Sequence, residues 1–255
     1  MGDHDERESG STGLTFSNPK IQHLRRLVGR RGARDEAGVV VVEGAALVEQ
    51  AVAAGWRVES QFVAPGSEPV DCGSAVFHVA PNVIERVAST HSPRPLIAVV
   101  QRRQHPLPAG ATFIVGCHQL ADPGNAGTII RGAEAAGADG VLFTPGSVDP
   151  FAPKVVRASA GSVFRIPVIV AELGQLRAMG LSVMGSSSHR GSTYSEVDLR
   201  QPVALVVGNE AHGLPDDAPV DGWLTIPHSG PVESLNAAMA ATLLVFEVAR
   251  QRRSG

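Results

Sequence analysis

The chain has 255 residues, 43% of them hydrophobic, and a formal net charge of −3, which is enough apolar material for one or two cores without disulfide or metal staples. Two cysteines, Cys72 and Cys117, exclude a secreted disulfide scaffold and any thiolate zinc site, and point to reduced thiols in a cytosolic protein. The slight acidity argues against a protein that coats nucleic acid indiscriminately, the polar start lacks the apolar segment of a signal peptide, and no stretch has the uncharged length that spans a bilayer.

Residues 1–13 have the composition of a disordered tail. Ile21, Leu24, Leu27 and Val28 recur at helical spacing with arginines on the other side, so a basic amphipathic helix is expected. From Lys20 to Arg34 the chain carries Lys20, Arg25, Arg26, Arg30, Arg31 and Arg34 and no acid. Such a run is either a solvated helix face or a phosphate-contacting surface. The β-branched run 39–42 predicts a strand, and Glu43-Gly44 leads into a helix through Val52 that Gly55 closes. Strands are expected at 58–64, 76–79 and 96–100, with a helix at 82–89.

Residues 101–110 hold two arginines, two prolines and no periodic apolar residue, which is linker composition. They divide the chain into a small α/β unit, 14–105, and a larger one, 110–255. In the second, strands at 113–115, 140–143, 168–170, 181–184, 203–207 and 223–226 alternate with helices at 126–136, 173–179 and 234–253. This pattern predicts an α/β fold with a mostly parallel sheet covered on both faces, whose ligands bind at the carboxyl ends of the strands.

Three segments sit at such ends. In the first, Asp122-Pro123-Gly124-Asn125 offers a turn and helix cap, and Arg131 lies one to two turns into the helix. There it opposes the helix macrodipole, so a phosphate explains it better than local stability does; the structural alternative is that Asn125 only caps and Arg131 only pairs with an acid such as Glu134. In the second, strand 204–207 runs into Gly208-Asn209-Glu210 and Gly213, where glycines permit close backbone approach or positive φ. No lysine follows at phosphate-loop spacing and the dinucleotide glycine fingerprint is missing, which disfavours a nucleoside-triphosphate enzyme and a dehydrogenase. In the third, strand 223–226 leads through Pro227 to Ser234-Leu235-Asn236 at the start of a long apolar helix. Ser234 suits an N-cap, which leaves Gly230, Leu235 and Asn236 unexplained.

Together and in this order, the segments Asn125-Ala-Gly-Thr-Ile-Ile-Arg131, Val206-Val-Gly-Asn-Glu-Ala-His-Gly213 and Ile226-Pro-His-Ser-Gly-Pro-Val-Glu-Ser-Leu-Asn236 resemble the motifs of the SpoU/TrmH branch of the SPOUT RNA methyltransferases, and the chain is similar to 23S rRNA methyltransferases of the thiostrepton-resistance type. The resemblance implies a trefoil-knotted carboxyl-terminal domain, a homodimer whose sites are completed by the partner, and transfer of a methyl group from S-adenosylmethionine to a ribose 2′-hydroxyl of RNA. It places Asn125, Arg131, Glu210, Ser234 and Asn236 at the catalytic positions and Val207, Gly208, Asn209, Gly213, Ile226 and Leu235 around the cofactor, with no metal. Val39-Val-Val-Val-Glu-Gly44 and the helix after it look like the ribosomal-protein-like substrate-binding domain of many such enzymes. Arg25, Arg26, Arg30 and Arg31 are then expected to hold RNA. The thiostrepton-resistance relatives carry a further arginine near the RNA where this chain has Ala160; Lys154 and Arg157 are expected to substitute for it.

A ribose hydroxyl is a poor nucleophile at neutral pH, so its proton must be weakened while it is held in line with the methyl group. A guanidinium, with a pKa above ~12, is a poor free base, which favours Arg131 clamping the adjacent phosphate and polarising the hydroxyl. His118, His212 and His228 flank the motifs without metal-ligand spacing and read as loop histidines. The substrate class follows as 23S rRNA, with tRNA as the alternative; a non-catalytic RNA-binding relative is the competing class.

Overall fold

The computed structural model describes residues 13–90, 92–231 and 233–253, so the expected tail lies outside the described residues but for Gly13. The amino-terminal unit comprises α1 (Pro19–Gly29), α2 (Arg31–Ala37), β1 (Val39–Glu43), α3 (Ala45–Ala53), β2 (Val58–Val63), β3 (Ala75–His78), α4 (Val83–Val87) and β4 (Leu96–Gln101). Asn18 caps α1 by accepting from Lys20 N, and the helix buries Ile21, Leu24 and Leu27, as its periodicity requires. The four-stranded sheet has the order β1-β4-β2-β3; β4 runs antiparallel to both neighbours, whereas β2 and β3 are parallel.

The larger unit contains β5 (Phe113–Cys117), α5 (Pro123–Ala135), β6 (Gly140–Phe143), α6 (Pro153–Ala158), a 3-10 turn (Ser162–Phe164), β7 (Val168–Val170), α7 (Gly174–Ala178), β8 (Ser182–Ser186), β9 (Ser192–Thr193), β10 (Val203–Val207), β11 (Gly222–Thr225) and α8 (Ala237–Arg253). Its sheet has the order β7-β6-β5-β10-β8-β11-β9 with every pairing parallel. Strands β5, β6 and β10 are buried throughout, which is why they read as unbroken apolar runs.

Two caps differ from expectation. α8 starts at Ala237, three residues late, because Asn236 and not Ser234 caps it: Asn236 Oδ1 accepts from Ala238 N (2.9 Å) and Met239 N (3.2 Å). α5 is capped by Asp122, whose Oδ1 accepts from Asn125 N at 2.7 Å, so Asn125 is a helix residue with its side chain free for other work. The short elements α2, α6 and β9 were not expected from the sequence pattern.

The two units share a hydrophobic core in which Val40, Val42 and Trp56 join Val155 and Phe164. Trp56 Nε1 donates to the Phe164 carbonyl at 2.9 Å, with the rings edge to face. Arg34, one of the six cations of the basic run, is only 5% exposed and pairs with Asp149, 9% exposed, at 2.5 Å. Its other nitrogen donates to the Leu27 (2.8 Å) and Val28 (3.3 Å) carbonyls. The linker composition of 101–110 therefore does not produce a hinge. Removing Arg34 would leave the Asp149 carboxylate buried and unpaired, so Arg34→Ala should lower stability by about 3 kcal/mol. Arg30→Ala, at an exposed cation with no side-chain partner, should cost less than about 0.5 kcal/mol. Urea midpoints of the two variants check this.

Candidate active site

The loops after β5, β10 and β11 leave the same carboxyl edge of the sheet, and α5 and α8 pack beside each other above them. One hydrogen-bonded chain joins all three. Glu210 Oε2 accepts from Ala121 N (3.0 Å), and Oε1 from Asp122 N (2.9 Å) and Asn125 Nδ2 (3.0 Å). Asn236 Nδ2 then donates to Asn125 Oδ1 (3.0 Å). An ionised carboxylate can only accept and the amides at the start of α8 can only donate, so both asparagine orientations are fixed from the two ends.

Asn209 shapes its own loop. Its Oδ1 accepts from Ala211 N (2.9 Å) and His212 N (3.3 Å), its Nδ2 donates to the Gln119 carbonyl (2.8 Å), and its backbone bridges Gly213 in both directions. Gly213 has a φ of +67°, and a Cβ on Gly208 would collide with the Gly213 carbonyl carbon. Glycine is thus required at both ends of this turn.

Between these loops lies a cleft of about 600 Å³, within the range of cofactor sites. Val207, Leu224, Ile226 and Leu235 give it apolar walls, while Glu210, Ser234 and Asn236 bring polar groups. Among the described residues, no backbone–backbone hydrogen bond engages 227–231 or 233–235, so amides and carbonyls there remain free for a ligand. S-adenosylmethionine fits this donor set: an apolar slot for the adenine ring, free backbone groups for its edges, and side-chain hydroxyl and amide groups for the ribose and methionyl parts.

Of the residues expected at the site, Asn125, Glu210 and Asn236 are brought together by direct hydrogen bonds; Val207, Gly208, Asn209, Gly213, Ile226, Ser234 and Leu235 line the cleft. Arg131 does not line it. It is the ninth residue of α5, beyond the first turn where the macrodipole acts, so the dipole argument for a ligand fails. The pairing with Glu134 fails too, since Glu134 is held by Arg165 (2.9 Å from Nη2 to Oε2) and Arg131 is exposed with no hydrogen bond or ion pair. Lys154 is exposed, whereas Arg157 is half-buried and donates to Thr90 Oγ1 (2.8 Å), bracing α6 against the amino-terminal unit. Arg25, Arg26, Arg30 and Arg31 lie exposed on and beside α1 and α2, and Arg31 is 3.4 Å from Asp35.

His118 is held below the usual imidazole value by burial, against the opposing pull of Glu172. No group of three metal-ligating side chains occurs among the described residues. The cleft also has a wall not expected from the sequence, Ser186 to Arg190, with the Arg190 guanidinium 3.7 Å over the Trp223 ring. That segment carries no motif, and only the placement of β8 between β10 and β11 brings it here.

Residues 112–246 match the SpoU rRNA Methylase family, and residues 18–98 match the MRM3-like substrate binding domain. The chain is similar to the 23S rRNA (guanosine(2553)-2′-O)-methyltransferase of Bacillus subtilis (strain 168), 32% identical over 91% of this chain and 96% of the relative. It is also similar to the 23S rRNA (uridine(2479)-2′-O)-methyltransferase of Streptomyces viridochromogenes, 31% identical over 98% of this chain and 96% of the relative. Among solved structures it resembles the SpoU methyltransferase AviRb from Streptomyces viridochromogenes in complex with AdoMet, with a TM-score of 0.85, 30% identity, and coverage of 93% of this chain and 99% of that one. The AdoMet-bound rRNA methyltransferase from Sinorhizobium meliloti gives a TM-score of 0.81 at 31% identity, over 93% and 96%.

Burial on its own would raise the Glu210 carboxyl, but hydrogen bonds from Ala121 N, the Asn125 side chain and Asp122 N outweigh it and hold the group below its ordinary value. The stability it supplies is complete above the unfolded carboxylate range and is lost as pH falls through the depressed folded value. Glu210→Gln should therefore cost about 1 kcal/mol at neutral pH, allowing for its exposure. The difference from the parent should close only below the ordinary carboxylate range of roughly pH 4. Urea titrations of both proteins across that range measure the gap.

Proposed function

The chain belongs to the SpoU rRNA methylase family, and from that premise we propose that it is an S-adenosylmethionine-dependent RNA 2′-O-ribose methyltransferase that acts on 23S ribosomal RNA as a homodimer. The observation that carries this is the Glu210–Asn125–Asn236 chain, which ties the three loops around a cleft with free backbone groups. When bound, S-adenosylmethionine supplies an electrophilic methyl group on a sulfonium.

The protein's own groups do the rest. Val207, Ile226 and Leu235 enclose the adenine, and the free amides and carbonyls of 227–235 read its edges. Ser234 and Asn236 orient the ribose end, and Glu210 and Asn209 position their loops without touching the reacting atoms. Arg131 clamps the phosphate beside the target ribose and polarises its 2′-hydroxyl.

Dimerisation accounts for the position of Arg131. Met239, Leu243 and Phe246, 59%, 42% and 42% exposed, follow helical spacing along one stripe of α8. Gly132 faces Thr242 on that helix, so Arg131 flanks the stripe. A second copy docked there sets Arg131 of one protomer against the cleft of its partner. We further assign residues 14–105 to RNA binding, through Arg25, Arg26, Arg30, Arg31 and Lys154, and residues 110–255 to methyl transfer. The carboxyl-terminal unit is taken to be trefoil-knotted, a reading supported by its likeness to SpoU methyltransferases. No helix among the described residues is long and apolar enough to cross a membrane, which suits a cytoplasmic enzyme.

Incubation with labelled S-adenosylmethionine and deproteinised 23S rRNA, followed by mapping of 2′-O-methyl positions, tests the activity; absence of a mapped site on rRNA with one on tRNA would move the substrate. Arg131→Ala should lower methyl transfer by about 100-fold or more while calorimetric affinity for S-adenosylmethionine stays near that of the parent. Arg131→Lys should fail as well, since a point charge cannot replace a planar fork. Leu243→Asp buries a charge in the proposed interface, and light scattering should report a monomer that has lost transfer activity.

A further inference from the structure

A second cleft, of about 490 Å³, opens where the amino-terminal unit meets the β7 edge of the large sheet, with Arg31, Arg102, Arg103, His105, Phe151 and Val170 in its lining. It is separate from the candidate active site. Its two carboxylates are already engaged: Asp35 with Arg102 at 2.8 Å and Arg31 at 3.4 Å, and Asp149 with the buried Arg34. Four guanidinium groups thus face two carboxylates, leaving an excess of two positive charges in a chain whose net charge is −3. Arg103 makes only a hydrogen bond to the Ala54 carbonyl, at 3.3 Å, and keeps its other donors free.

The interior suits a planar ring. The Arg102 guanidinium carbon lies 5.5 Å from the Phe151 ring centroid, and the edge strand Val168–Val170, exposed at Val170, forms an apolar floor. Burial first, and Arg103 second, hold His105 below the usual imidazole value, so at neutral pH it offers one N–H and one lone pair. Asp149 and Phe151 follow the carboxyl end of β6, which puts the cleft on the same sheet edge as the active site. β7 lies two strand spacings, about 10 Å, from β5. Arg31 belongs both to this cleft and to the basic run of α1 and α2, so the positive surface is continuous.

We propose that this cleft holds an unpaired nucleotide of the RNA substrate, with its base against Arg102 and Phe151 and its phosphate between Arg31 and Arg103. The protein thereby grips a single strand at a second point away from the target ribose. The proposal rests on the RNA methyltransferase assignment above. A cationic rim with an aromatic and guanidinium interior is the arrangement that binds single strands, each stacked base contributing roughly 1–3 kcal/mol; a duplex cannot present an unstacked base to it.

The test uses the full chain and fluorescence anisotropy with a short labelled single-stranded RNA, its duplex form, and a series of salt concentrations. Arg102→Ala with Arg103→Ala should weaken single-strand binding about 10-fold or more and reduce the salt slope by about 0.7, the one phosphate contact made by Arg103. Val170→Trp, which fills the cleft without changing charge, should weaken single-strand binding about 5-fold or more, the loss of one stacked base, and leave duplex binding and the salt slope as in the parent. Arg177→Ala removes a cation at the amino ends of β8 and β11, where it pairs with Asp221, and should change binding by less than about 2-fold. Unaltered binding in Val170→Trp, or equal losses from Arg177→Ala and the double variant, would overturn the proposal by reducing the cleft to part of a diffuse field. Calorimetry with S-adenosylmethionine confirms that each variant is folded. Failure of the methyltransferase assignment is distinguishable, since it would appear as absent cofactor binding and absent methyl transfer in the parent, both measured independently of the RNA titration.

Discussion

The site depends on one hydrogen-bonded chain, from the Glu210 carboxylate through Asn125 to Asn236 and the first amides of α8. Three loops spread over 111 positions of sequence must converge for a cofactor cleft to exist, and apolar packing alone is non-directional. The chain supplies direction. Because its ends are an acceptor-only carboxylate and donor-only amides, it permits one arrangement of two asparagines, and that arrangement sets where the 226–236 segment passes. Backbone groups at 227–231 and 233–235 can then stay without backbone partners among the described residues, open to a ligand, without the loop collapsing to satisfy itself.

A second constraint fixes the amino-terminal unit against this site. Arg34 reaches across 115 positions of sequence to Asp149, Trp56 donates into the backbone at Phe164, and Arg165 holds both Gln50 and Glu134. Ion pairs so enclosed are weak sources of net stability, but they tolerate no change of register. Their consequence is geometric: a basic helix face held rigidly to a catalytic sheet can present RNA at a fixed distance from the reacting position. A flexible tether would spend binding energy on ordering the two halves.

The buried strands were legible because strands covered on both faces must be apolar, as the antiparallel 39–42 and the parallel 113–117 and 203–207 are. The motif asparagines and Glu210 were legible as polar residues at strand ends that capping did not exhaust. Other features were hidden for physical reasons. Arg30 and Arg34 are chemically identical in a basic run, and only a distant carboxylate makes one exposed and the other a buried strut. Ser234 and Asn236 can both cap a helix, and the contact with Asn125 decides between them. The wall from Ser186 to Arg190 depends on strand order, which local pattern does not encode. Neither α2 nor α6 has an amphipathic period, since each is one or two turns long and is held by its neighbours.

Arg131 shows how the place of a motif residue depends on where its helix begins. Spacing put it one to two turns into a helix and close to the cleft, whereas the helix starts at Pro123 and about 2.2 turns separate the two residues. It is exposed, and α8, which packs against α5, carries an exposed apolar stripe. Arg131, without a side-chain partner among the described residues, and an exposed stripe of Met239, Leu243 and Phe246 are each unexplained within one chain, and the proposed dimer would account for both. A site assembled by that dimer would separate two tasks that conflict in one protomer. The cofactor cleft needs a rigid, internally satisfied frame, and the residue that engages RNA phosphate must stay unpaired until substrate arrives.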